Sequence, residues 1–125
     1  MPIRKILIAD DEDHIRLVSQ LTMTRVGNWD VCLAASGEEC LRKARDEKPD
    51  LILLDVMMPD MDGPTTLLQL RESPDTAMIP IIFLTAKVQK HEVEKYLELG
   101  ALGVVHKPFD PMTLPDEIRD LVGNA

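Results

Sequence analysis

Five short apolar runs alternate with stretches whose apolar residues recur at helical spacing. Leu51-Ile52-Leu53-Leu54 and Ile81-Ile82-Phe83-Leu84 are apolar at every position, which is the pattern of strands covered on both faces inside a parallel sheet. The run from Trp29 to Ala34 starts more polar and is less continuous, so it is expected at an edge. Leu114, Ile118, Leu121 and Val122 fall at i, i+4, i+7 and i+8, one stripe of a helix docked on a sheet. Val93, Tyr96 and Leu97 predict the same for the helix before it. The pattern predicts strands over residues 5–9, 29–34, 51–54, 80–84 and 103–105. It predicts helices over 14–25, 37–46, 64–72, 88–99 and 111–121. Pro49-Asp50, Ser73-Pro74-Asp75 and Gly100-Ala101-Leu102-Gly103 punctuate these units as turns. Five strand–helix units in 125 residues make a βα repeat. With right-handed crossovers, that repeat winds into an α/β sheet whose ligand site lies beyond the carboxyl ends of its strands.

Composition narrows the function classes. A 45% hydrophobic content excludes a disordered chain, and the length suits one domain over residues 1–125, with no output domain expected. Fourteen basic against 22 acidic side chains leave a net charge of −8, which repels phosphate backbones and anionic lipid, so direct contact with nucleic acid or a membrane surface is not expected. No run approaches the roughly 20 apolar residues of a membrane span, and the start lacks a signal-peptide core. A cytoplasmic protein is therefore expected. Cys32 and Cys40 are not in metal-type spacing and read as reduced packing residues, while His14, His91 and His106 share no ligand spacing.

The predicted strand ends carry the chemistry. The first strand finishes in Asp10-Asp11, the third in Asp55, the fourth in Thr85, and the fifth runs into Lys107-Pro108. Carboxylates from neighbouring strands repel one another and coexist with a cation, and an all-oxygen set with few protein ligands suits Mg²⁺. A cation with a lysine and a hydroxyl is equipment for receiving a phosphoryl group, since that chemistry depends on charge neutralisation and positioning. An aspartate can itself be the acceptor, forming an acyl phosphate. Taken singly these residues have plainer roles: Asp-Asp or Thr85 as helix caps, and Glu12 and Asp13 as first-turn acids.

Together, Ile8-Ala9-Asp10-Asp11, the segment from Leu53 to Gly63, Phe83-Leu84-Thr85-Ala86 and Lys107-Pro108-Phe109 resemble the bacterial response-regulator receiver domain over essentially the whole chain. The resemblance implies a flavodoxin-like (βα)5 fold with strand order 2-1-3-4-5. It also implies Asp55 as phosphoryl acceptor, and Mg²⁺ on Asp10, Asp11, Asp55 and the main-chain carbonyl of Met57. Thr85 and Lys107 would hold phosphoryl oxygens, and the bond before Pro108 would be cis. The expected partners are a sensor histidine kinase or histidine phosphotransfer protein, and a downstream protein on the face of the fourth helix, fifth strand and fifth helix. The result is a signalling switch that assists its own phosphorylation and dephosphorylation, better described so than as a turnover enzyme.

This sequence departs from that pattern in one respect. Many receivers carry an aromatic residue three positions before the lysine, where this chain has Val104. Two other classes fit this sequence less well. A phosphohydrolase with an aspartate nucleophile normally places it on the first strand and needs a cap or a larger core. A flavodoxin-like carrier wants glycines and amides, not Asp10-Asp11-Glu12-Asp13, in its first loop.

Overall fold

The computed structural model describes residues 2–123. Five strands, β1 (Lys5–Ala9), β2 (Asp30–Ala34), β3 (Leu51–Asp55), β4 (Ile81–Thr85) and β5 (Gly103–His106), alternate with five helices. These are α1 (Asp13–Arg25), α2 (Gly37–Glu47), α3 (Gly63–Glu72), α4 (Lys90–Glu98) and α5 (Leu114–Gly123). The sheet is wholly parallel in the order β2-β1-β3-β4-β5, so β2 is an edge as its polarity implied, and strand order reverses beside β1.

Every residue of β3 and β4 is buried, and alternate side chains feed two cores. Leu7, Ile52, Leu54, Ile81 and Phe83 meet α2, α3 and α4 through Cys40, Leu67, Leu70 and Tyr96. Ile6, Ile8, Leu53, Ile82 and Leu84 meet α1 and α5 through Met23, Leu114 and Ile118. Burial of apolar surface on both faces is the main stabilising term for such a sheet, about 1.5–3 kcal/mol for each fully buried large side chain. Cys32 and Cys40 are free thiols packed in the first core, and burial pushes Cys40 up to about 12. Among the described residues, no helix is long and apolar enough to cross a membrane.

Several boundaries differ from the sequence pattern for local reasons. Trp29 lies outside β2 and packs into the second core. α5 starts at Leu114 because Asp110 first closes a turn, its carboxylate accepting from Met112 N at 2.9 Å. α4 starts at Lys90 with Gln89 at its N-cap, so Thr85 is not that helix's cap. Only Tyr96 of the predicted α4 stripe is buried. Leu97 is 46% exposed, because a helix of nine residues lying at the sheet's edge buries a narrow seam.

Candidate functional site

The carboxyl ends of β1 and β3 bring acid into the interior. The β1 run Ile6-Leu7-Ile8-Ala9 is fully buried and leads straight into Asp10, which has no exposed surface. Asp55 is the last residue of β3 and is 4% exposed. Asp11 faces solvent beside them, and one carboxylate oxygen from each of Asp10, Asp11 and Asp55 lies within 4.8 Å of the others. Two buried carboxylates on adjacent strands would be prohibitive without positive charge.

That charge comes from Lys107. Its backbone N–H donates to Thr85 O at 2.9 Å, and its ammonium reaches Asp10 Oδ2 at 2.6 Å and Asp55 Oδ2 at 3.4 Å. A third acid, Glu12 Oε1, stands 3.7 Å away. The Lys107-Pro108 bond is cis. Burial alone would lower the lysine, but the hydrogen bond and charge of Asp10, then those of Asp55, leave it raised. Asp55 moves the other way for a carboxylate. Burial, then the charge of Asp10, pushes it up to about 6, against the opposing pull of Lys107 and of Met57 N–H, which donates to Asp55 Oδ1 at 3.2 Å. One ammonium cannot neutralise the group.

The surrounding loops are pinned by their own hydrogen bonds. Asp10 Oδ1 accepts from Glu12 N at 2.9 Å, and Arg16 Nη1 donates to the Asp10 carbonyl at 2.7 Å. After Asp55, the loop is tied to two helices. Asp60 accepts from the N–H groups of Gly37 and Glu38 at the start of α2, both at 3.1 Å, and Asp62 caps α3 by accepting from Thr65 N at 2.8 Å. Gly63 donates to Val56 O at 2.8 Å, and a Cβ on it would lie 2.7 Å from the Asp55 carbonyl oxygen. Here only glycine lets α3 approach the end of β3 so closely. Pro64 occupies the first turn of α3, where its missing N–H costs nothing.

Every residue singled out at a strand end is therefore at this rim. Thr85, buried, ends β4 one position beyond the register partner of Asp55, and its hydroxyl accepts from Lys87 N at 3.0 Å. Met57, two positions after Asp55, is 66% exposed, whereas Met58 is buried in the core. Glu12 was expected in the first turn of α1. It is instead the N-cap residue, with no side-chain cap bond, and its carboxylate faces Lys107. Sequence reasoning missed this, and also missed Arg16. A spacing of six from Asp10 on a helical face was the only available signal for the latter.

The model of the response regulator receiver domain matches residues 6–119. The chain belongs to that family. The receiver is 43% identical over 119 residues to the alkaline phosphatase synthesis transcriptional regulatory protein PhoP of Bacillus subtilis, covering 95% of this chain and 48% of PhoP. It is 41% identical over 114 residues to the transcriptional regulatory protein AfsQ1 of Streptomyces coelicolor, covering 91% of this chain and 49% of AfsQ1. The chain spans about half the length of these curated relatives. Among solved structures, the Vibrio cholerae chemotaxis response regulator CheY4 superposes with a TM-score of 0.88 at 32% identity, over 96% of this chain and 99% of that one. The receiver's fold, with its 2-1-3-4-5 sheet, is thus that of a two-component response regulator.

Proposed function

We propose that this receiver is a phosphoacceptor switch. Asp55 takes a phosphoryl group from a phosphohistidine on a sensor histidine kinase or histidine phosphotransfer protein, and the resulting acyl phosphate alters the surface that α4, β5 and α5 present to a downstream protein. The observation that carries this reading is the convergence of Asp10, Asp11 and Asp55 within 4.8 Å, with one lysine bridging two of them.

A carboxylate oxygen of Asp55 attacks phosphorus. The P–O bond forms as the P–N bond breaks, and the electron pair returns to the ring nitrogen of the departing imidazole, which takes up a proton from solvent. Lys107 pairs with one phosphoryl oxygen and the Thr85 hydroxyl donates to another. The donor set, three carboxylates of which Asp10 and Asp55 share one ammonium, fits a hard divalent cation. Mg²⁺ held by Asp10, Asp11, Asp55 and the Met57 carbonyl would supply the positive charge that lets an anionic nucleophile meet an anionic phosphoryl group. The chain assists transfer to itself and does not turn over a substrate. The net charge of −8 opposes direct contact of this domain with nucleic acid, so its readout is a protein surface in the cytoplasm.

The test is intact mass after incubation with acetyl phosphate and Mg²⁺. One phosphoryl group is expected, lost when the metal is chelated beforehand. A receiver that gains no mass under these conditions overturns the reading.

A further inference from the structure

Arg16 brings a second cation to the crowded end of the sheet and turns it away from the three clustered carboxylates. It stands one turn into α1, its N–H donating to Glu12 O at 3.0 Å, and a helical side chain leans back toward the helix start. Its guanidinium thereby reaches the Asp10 carbonyl, 2.7 Å from Nη1, and pairs through Nη2 with the Asp13 carboxylate. The Arg16 side chain is 18% exposed and that of Asp13 93%. The carbonyl needs this donor. Strand pairing of β1 ends at Ala9 on both sides, and the Asp10 N–H still donates to Ala34 O at 3.0 Å, but the Asp10 carbonyl lies past the last rung, on a residue with no exposed surface. A buried carbonyl left without a donor is costly.

That carbonyl belongs to the peptide plane that joins Asp10 to Asp11. The tilt of the plane sets ψ of Asp10 and φ of Asp11, and with them the directions in which both carboxylates leave the chain. One hydrogen bond to the plane therefore aims two side chains. Glu12 N also donates to Asp10 Oδ1 at 2.9 Å, so the Asp10 carboxylate is held as well as its carbonyl. We propose that Arg16 is a positioning residue for the cation site: its fork, anchored by Asp13, fixes the Asp10–Asp11 peptide so that both carboxylates converge with that of Asp55 within 4.8 Å. This role rests on the reading of Asp10, Asp11 and Asp55 as Mg²⁺ ligands and adds to it a residue that touches neither the metal nor the phosphoryl group. Charge and geometry act in opposite directions here. As a charge alone, Arg16 repels Mg²⁺, and deleting it should tighten binding. As a positioning group it organises the ligands, and deleting it should weaken binding.

A Mg²⁺ titration followed through the amide resonances of Asp11 and Met57 separates the two effects by sign. Arg16→Met keeps an unbranched apolar stem without the charge or the fork. It should raise the dissociation constant about ten-fold or more, as loss of a group supporting a metal ligand does. Arg16→Lys keeps the charge but offers one ammonium to two acceptors, and its constant should fall between those of Arg16→Met and the parent. Labelling by acetyl phosphate, read as intact mass, should need about ten-fold more Mg²⁺ in Arg16→Met yet reach the parent's rate within about two-fold at saturation, the split expected when binding of the metal alone is impaired. An Arg16→Met protein that binds Mg²⁺ as tightly as the parent or more tightly overturns the inference and leaves the ligand reading standing. If that variant does not fold, an Arg16→Lys protein with the parent's constant does the same. A parent whose Asp11 and Met57 amides do not respond to Mg²⁺ overturns both.

Discussion

The two ends of one sheet treat charge in opposite ways. Near the amino ends of the strands, the Arg119 guanidinium lies 4.9 Å from the Trp29 ring centroid and donates to Gly27 O at 3.0 Å. Asp50 there accepts from the main-chain N–H groups of Arg4 and Lys5 at 2.9 and 3.0 Å. Each of these charges has a partner of its own and sits at the rim. At the carboxyl ends, Asp10 and Asp55 are buried, and together with Glu12 they share the single ammonium of Lys107. The same strands, flanked by the same two cores, thus end in a satisfied cap on one side and in a deficit of positive charge on the other. The deficit belongs to the site: it costs stability in the resting protein, and a bound cation would relieve it.

The sharpest way to break this contrast is to remove one charge from the crowded end. Asp55→Asn should abolish phosphoryl labelling by intact mass, yet raise the melting temperature of the metal-free protein by a few degrees, about what 1 kcal/mol produces in a domain of this size. A variant that melts below the parent would show that the site end is not under electrostatic strain. At the other end, Trp29→Ala should cost about 3 kcal/mol or more in denaturant titration, as expected for emptying a packed aromatic site. Labelling per folded molecule should not change. If labelling falls with it, the two ends are not independent.

Mg²⁺ should stabilise the parent by about 2–3 kcal/mol at a hundredfold excess over its dissociation constant, and Asp11→Ala should remove most of that gain without unfolding the protein, since Asp11 is exposed. An undiminished thermal shift in the variant would take Asp11 out of the ligand set. A smaller effect follows pH. Burial and the charge of Asp10 raise Asp55 from 3.8 to about 6 in the folded, metal-free protein. The native state therefore holds a proton that the unfolded chain has lost, and its contribution to stability is present below the unfolded value and declines as pH rises through about 6. Urea titrations on either side of that window should show the decline in the parent and a flatter profile in Asp55→Asn. The least effect belongs to Arg119→Leu, about 0.5–1 kcal/mol for an exposed cation over an indole.

The fold was largely legible because strands buried on both faces leave unbroken apolar runs, as in β3 and β4, and the edge strand β2 announced itself by its polarity. The residues at the rim were legible for a related reason: an aspartate directly after such a run has nowhere to go but the end of a strand. What the pattern hid depends on contacts between elements distant in sequence. Nothing near Glu12 in the chain says that Lys107 comes within 3.7 Å of it. Nothing around Asp60 says that it caps α2, more than twenty residues earlier. The α4 stripe misled for another reason: Val93, Tyr96 and Leu97 have the right spacing, but a short helix over an edge strand covers only one row.

Gly63 restricts how this sequence can change over time. A Cβ on it would come within 2.7 Å of the Asp55 carbonyl oxygen and 2.9 Å of Val56 Cα. Any other amino acid would push α3 away from the backbone that carries Asp55, so the position is closed to drift even though its side chain has no atom to contribute. An exposed position nearby such as Thr65 has open space to vary in. Saturation mutagenesis of this loop, read out as folded yield alone, should therefore show an intolerant column at Gly63, beside the end of β3 that carries Asp55.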